Sequence, residues 1–157
     1  MLSEESKKKI DALLPRYPTK QAALLPALWI AQRANEDWLP RELMKEVAEH
    51  LELAPAFVEG VATFYTMYNK APVGKHHVEV CHNIVCMVRG GDELIEYIGK
   101  KLGIGTGETT PDKKFTLNPA ECLGACANAP CMMVADKYYE DLTHEKVDKI
   151  LEELSRA

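Results

Sequence analysis

Two pairs of cysteines, Cys81/Cys86 and Cys122/Cys126, are separated by 35 residues (87–121), and no other feature limits the folding choices of this chain so strongly. The spacings C-x4-C and C-x3-C put two thiolates on each of two short loops. If the fold brings the loops together, four soft sulfur ligands face one another, a donor set that calls for iron–sulfur or zinc. Cys131 is left over. An odd fifth thiol argues against a disulfide framework, which favours an even count.

The remaining composition is that of an ordinary soluble globular protein: 157 residues, 46% hydrophobic and 27% charged. A chain of this length buries roughly 68–70% of its unfolded surface, enough for a core without covalent staples. The net charge of −5 disfavours nucleic acid as a partner, and the lysines lie in short scattered clusters that read as solvated surface. The first twenty residues are rich in charge and lack an apolar signal core. The longest apolar run, Ala22 to Ala31, has ten residues and contains Pro26; a membrane span needs about 20. These features predict a cytoplasmic chain with no membrane insertion, whose thiols stay reduced unless a metal holds them.

The two halves differ in periodicity, which divides the chain at about residue 72. Residues 1–72 read as a helical subdomain without cysteine. Ser3 caps a first helix with Glu4 and Glu5 in its opening turn and a stripe of Ile10, Leu13 and Leu14. Thr19 opens a second, with Leu24, Leu25, Leu28 and Trp29; Pro26 must kink it or sit in its first turn. Pro40 and Pro55 suit the first positions of a third and a fourth helix. The fourth is expected to carry Phe57, Val58, Val61, Phe64, Tyr65 and Tyr68, whose aromatics read as core or interface packing; Trp29 and Trp38 read as core. From residue 73 to 157 the pattern is strand (His76 to Val80), helix (Asp92 to Leu102), strand (Phe115 to Leu117), a hairpin through Met132–Ala135 and Tyr138–Tyr139, and a last helix capped by Thr143. The expected fold class is therefore mixed, α+β or α/β, with a helical bundle followed by a small sheet. Both cysteine pairs follow strand ends, so both loops should emerge at one edge of that sheet.

Three occupants compete for the four thiols. Buried core cysteines are the bland reading, but four of them in two tight loops beside Gly90-Gly91 and Gly124 weigh against it. Structural zinc favours tetrahedral sulfur, yet its loops are usually tighter and often recruit histidine. A [2Fe–2S] cluster takes four thiolates, and C-x4-C is half of a known cluster spacing. A Rieske centre does not fit, because no histidine accompanies Cys122 or Cys126. His76, His77 and His82 flank the first loop and read as exposed or supporting groups. A thiol–disulfide exchange protein would need an attacking thiol in C-x-x-C, and none is present. Backbone N–H groups on glycine-bearing loops, with the N-terminus of the helix near Asp92 and with Arg89, would suit an anionic cluster. Gly103-x-Gly105-x-Gly107 follows a helix and lacks dinucleotide spacing, so it reads as a turn.

The first loop, Val80-Cys81-His82-Asn83-Ile84-Val85-Cys86 with Arg89-Gly90, resembles that of the thioredoxin-like [2Fe–2S] ferredoxin subunit of NADH:quinone oxidoreductase, respiratory complex I. Glu121-Cys122-Leu123-Gly124-Ala125-Cys126-Ala127-Asn128-Ala129-Pro130 resembles its second loop. Ala23 to Leu28, Val61 to Met67 and Tyr139 to Thr143 are similar as well, so the resemblance covers nearly the whole chain. It implies a thioredoxin-like domain over 73–157, with Cys81, Cys86, Cys122 and Cys126 as ligands of one cluster and Cys131 as a non-ligand. No catalytic residue is expected, and the isolated chain should not turn over. The resemblance further implies an oxidoreductase complex peripheral to the inner membrane, in which a flavoprotein subunit binds NADH and FMN and forms a heterodimer with this chain. Other iron–sulfur subunits would complete the complex. A cluster moves single electrons whereas nicotinamide delivers two, so the chain would exchange single electrons with reduced flavin. The alternatives are the equivalent diaphorase subunit of an NAD-reducing hydrogenase or formate dehydrogenase and, from a different class, a zinc-stabilised adaptor.

Overall fold

A computed structural model describes residues 1–156 and divides into two compact units, Met1–Pro72 and Val73 onward. The first holds four α-helices: α1 (Glu4–Leu13), α2 (Leu24–Ala34), α3 (Arg41–Leu51) and α4 (Pro55–Phe64), with short 3-10 turns before α2. Local signals set their ends. The Ser3 hydroxyl accepts the Ser6 backbone N–H at 3.1 Å, and Pro26 sits in the first turn of α2, where its missing N–H costs nothing. Pro55 is the first residue of α4 as expected, whereas Pro40 caps α3 from outside and Arg41 opens it. Ile10, Leu28, Leu39, Val47, Leu51 and Val58 form the buried core of this unit.

Tyr68 departs from the helical expectation. α4 ends at Phe64 and the chain turns, so Tyr68 enters the core from an irregular segment and donates its hydroxyl to the Leu25 carbonyl at 2.8 Å. Burial there pushes its phenol up to about 12. The buried Gln32 side chain fixes the same segment: its amide donates to the Met67 carbonyl at 3.1 Å and its oxygen accepts the Asn69 N–H at 2.8 Å. Phe64, placed in the helix but expected to pack, is 78% exposed. Trp29 packs against the core while half-buried, and Trp38 is also half-buried.

The second unit is a four-stranded mixed sheet with helices. β1 (His76–Cys81), β2 (Phe115–Ala120), β3 (Met132–Val134) and β4 (Lys137–Tyr139) lie in the order β2-β1-β3-β4. β1 and β2 are parallel, which requires a crossover, here α5 (Ile84–Val88) and α6 (Gly91–Leu102); β1–β3 and β3–β4 are antiparallel. α7 (His144–Arg156) closes the unit, its first turn capped by the Thr143 hydroxyl, which accepts the Lys146 N–H at 3.3 Å. Alternating Val78 and Val80, with Leu117, Met132, Leu94, Ile98, Val147 and Leu151, form a second core. Beyond β2, the chain at Gly107–Thr110 runs back antiparallel: Gly107 donates to the Leu117 carbonyl at 2.7 Å and Leu117 to that of Glu108 at 3.2 Å. The Ala129–Pro130 peptide is cis. No described helix is long and apolar enough to cross a membrane.

α6 meets the first cysteine loop with no room to spare. Gly90 takes a left-handed φ of 90° as its N-cap, and a Cβ on Gly91 would lie 2.8 Å from the Cys81 carbonyl oxygen and 2.9 Å from that of Cys86. Only glycine admits that approach, because the neighbours are backbone.

Two substitutions check these supports. Gln32→Leu leaves the Met67 carbonyl and the Asn69 N–H unsatisfied, and should cost about 2–3 kcal/mol in urea unfolding of the full chain. Gly91→Ala should cost about 1–3 kcal/mol by overpacking, while an exposed control, Gly60→Ala, where a Cβ meets nothing within 4 Å, should not destabilise.

Candidate metal centre

Parallel pairing positions both cysteine loops. Register matches Val80 with Pro119 and Cys81 with Ala120, so the two strands finish side by side at the same end of the sheet. The His82 N–H donates to the Ala120 carbonyl at 3.1 Å, carrying the pairing into the loops. On the other side of β1, the antiparallel register of Val80 with Met132 sets Cys131 beside Cys81, and the Cys81 N–H donates to the Cys131 carbonyl at 3.1 Å.

The first loop contains an element that periodicity does not reveal. Residues 84–88 form the single-turn helix α5, begun by Asn83, whose side chain accepts the Ile84 N–H at 2.9 Å. The turn points Cys86 inward and leaves Ile84, Val85, Met87 and Val88 exposed. Cys81, Cys86 and Cys131 are buried together, and their three sulfurs all lie within 4.8 Å of one another. Cys86 Sγ and Cys131 Sγ are 3.9 Å apart.

Cys122 and Cys126 are exposed and lie outside that trio. Their loop nonetheless abuts it, since Leu123 and Ala125 pack on Cys81, Cys86, Ala129 and Cys131. Alternation explains the split: Leu123 and Ala125 turn in, while Gly124 and the two cysteines turn out. Gly124, at φ 76°, allows the bend, and its N–H donates to Cys122 Sγ at 3.4 Å. The structure thus brings Cys81 and Cys86 together, holds Cys122 and Cys126 at the adjoining rim, and adds Cys131, expected to be a bystander.

Hydrogen bonding marks Cys81 most clearly as an acceptor. Burial pushes the Cys81 thiol up, but the backbone N–H groups of Asn83 and Leu123, with the thiols of Cys86 and Cys131, outweigh it and bring it below its ordinary value. Cys86 is raised by burial and by its bond with Cys81, although the Cys131 N–H favours its thiolate. Cys131 is pushed up to about 12, first by burial and then by the neighbouring Cys86 charge. Amide N–H groups converging on sulfur are what an anionic thiolate–metal centre requires, and two pairs of thiols fit a [2Fe–2S] donor set. His82 is half-buried and reaches the Glu121 carboxylate at 3.6 Å rather than the trio. His77 meets Asn118 at 2.7 Å, and His76 stacks near Phe115 with ring centroids 5.4 Å apart. The Arg89 side chain is exposed. The Cys131 placement had one faint signal in the sequence, the match of Met132 and Val134 with Val78 and Val80 one residue further along.

Known proteins share this fold or much of this sequence. A chain of an NAD+-reducing [NiFe]-hydrogenase shares the fold, with a TM-score of 0.70 at 18% identity over 85% of this chain and 23% of its own length. A subunit of the NADH-quinone oxidoreductase of Rickettsia felis is 47% identical over 147 residues, 92% of this chain and 88% of the relative. NADH dehydrogenase [ubiquinone] flavoprotein 2, mitochondrial, of Dictyostelium discoideum is 44% identical over 97% of this chain and 62% of its own length. The family model for thioredoxin-like [2Fe–2S] ferredoxins matches residues 10–155. With its thiols gathered at the ends of paired strands and this match running almost from end to end, the chain belongs to the thioredoxin-like [2Fe–2S] ferredoxin family.

Proposed function

We propose that Cys81, Cys86, Cys122 and Cys126 hold one [2Fe–2S] cluster, and that the chain is the electron-transfer subunit of an NADH-quinone oxidoreductase complex. The observation that carries this reading is the common strand end from which both cysteine loops start. The cluster supplies one-electron redox chemistry when bound. The chain's own residues do the rest. Asn83 and Leu123 donate N–H groups to Cys81, Cys131 donates its N–H to Cys86, and Gly124 donates to Cys122. These bonds stabilise negative charge on the ligand sulfurs. Leu123, Ala125 and Ala129 keep water from the inner pair. Exposed Cys122 and Cys126 put the other pair at the surface, where electron exchange with a partner needs it.

The partner in this reading is an NADH- and FMN-binding flavoprotein subunit, with which the chain forms a heterodimer. It would sit peripheral to the membrane on the cytoplasmic side, alongside further iron–sulfur subunits. α5 supports a docked role: Ile84 and Val88 are 67% and 77% exposed on either side of buried Cys86. Apolar side chains concentrated beside a redox site suit a partner surface that excludes water. The 47% identity to a subunit of NADH-quinone oxidoreductase favours that complex over a hydrogenase or formate dehydrogenase, and family membership favours iron over a zinc adaptor.

Single Cys→Ser changes test the ligand set. In anaerobically reconstituted full-length chain, iron and sulfide analysis should give about two irons per chain, and dithionite should bleach the colour and give an EPR signal. Serine at 81, 86, 122 or 126 should lower iron content or replace the EPR signal, while Cys131→Ser should retain both. Iron lost from Cys131→Ser, with normal content in Cys122→Ser or Cys126→Ser, would overturn the assignment. A second prediction concerns docking: Ile84→Asp with Val88→Asp should abolish co-purification with the flavoprotein subunit and leave iron content unchanged. Undiminished co-purification would remove α5 from the interface.

A further inference from the structure

Three thiols converge where the proposed cluster uses only two of them. A metal–thiolate bond of about 2.3 Å sets sulfurs about 4.0 Å apart in a trigonal plane and about 3.8 Å apart in a tetrahedron. The Cys86–Cys131 separation of 3.9 Å already has that value, and all three sulfurs lie within 4.8 Å. The trio is therefore within an ångström of the spacing that one ion needs, a gap that side-chain rotation can close. No carboxylate or imidazole among the described residues joins them. Their walls are Ala129, Leu123 and Ala125, which offer no fourth side-chain ligand.

That donor set discriminates among metals. Zinc in structural sites is almost always four-coordinate. Calcium and magnesium demand oxygen. Soft thiolates select monovalent copper, a closed-shell ion that is satisfied by three sulfurs. We propose that, in the chain without its cluster, Cys81, Cys86 and Cys131 bind one copper(I) ion as a three-thiolate centre. No electron moves: copper enters and stays monovalent, three S–H protons leave to water, and three Cu–S bonds form. The centre carries two negative charges, offset by the N–H groups of Asn83 and Leu123 at Cys81 and of Cys131 at Cys86. Bound copper occupies Cys81 and Cys86, so it competes with cluster assembly, and Cys131 is the residue that gives it a foothold. This last consequence rests on the ligand assignment proposed above; the copper site itself does not.

The test is anaerobic titration of the cluster-free full chain with cuprous ion against a chromophoric copper(I) chelator. The unmodified chain should take one copper per chain, with X-ray absorption showing three sulfurs. Cys131→Val, close in volume and apolar, should weaken binding by at least about 100-fold, beyond what loss of a supporting partner alone causes. The double change Cys122→Ser with Cys126→Ser should leave affinity unchanged. Wild-type affinity in Cys131→Val, or weakened binding in the double variant, overturns the site. Circular dichroism on each variant confirms that the fold is intact. Reconstitution with iron and sulfide separates the two proposals: a Cys131→Val chain that loses copper and also fails to assemble a cluster supports the copper site and refutes Cys131 as a non-ligand.

Discussion

Parallel hydrogen bonding between β1 and β2 is the constraint on which the rest of this molecule depends. Cys81 and Cys122 are far apart in sequence, and nothing local draws their loops together. Setting Cys81 opposite Ala120 does so, because parallel strands end at the same edge. The connection must then cross the sheet, and α6 makes that crossing with Leu94 and Ile98 against Val78, Val80 and Leu117. The same helix begins at Gly91, in contact range of the carbonyls of Cys81 and Cys86. Core packing and loop geometry are thereby linked through a single helix.

Within the loops, burial and hydrogen bonding oppose each other. Taking a thiol out of water disfavours its thiolate, and that effect leads at Cys81, Cys86 and Cys131 alike. Only at Cys81 do the amide donors, together with the thiols of Cys86 and Cys131, prevail. The backbone thus prepares one sulfur for charge in advance and leaves Cys131, with the least compensation, as a protonated thiol. Residue types at these three positions are identical; their surroundings make them chemically distinct.

Much of this was legible in the sequence, where the signals are local. Ser3, Pro55 and Thr143 mark helix starts because capping depends on neighbours within one turn. The thiol spacing and the family resemblance identified the loops. Other features depended on partners distant in the chain. Tyr68 follows the apolar rhythm of α4, yet its hydroxyl finds the Leu25 carbonyl, and that bond, with Gln32 anchoring Met67 and Asn69, takes it out of the helix. α5 was invisible because Ile84-Val85-Cys86-Met87-Val88 has no polar face to give a helical period, and the Asn83 cap is its sole local mark. Cys131 joins Cys81 through antiparallel register, which an isolated three-residue strand does not announce.

The run of chain beside β2 has a further bearing on how the molecule keeps company. Gly107 and Leu117, with Thr109 facing Thr116, occupy hydrogen-bonding groups that a bare border would offer to another polypeptide. The opposite border, β4, is only three residues long, and Lys137 lies over the Tyr139 ring at 4.7 Å. Short, charged or covered margins are how sheets avoid templating fibrils. A chain with such margins can wait outside any assembly, long enough to be made, receive its metal and be incorporated without polymerising first.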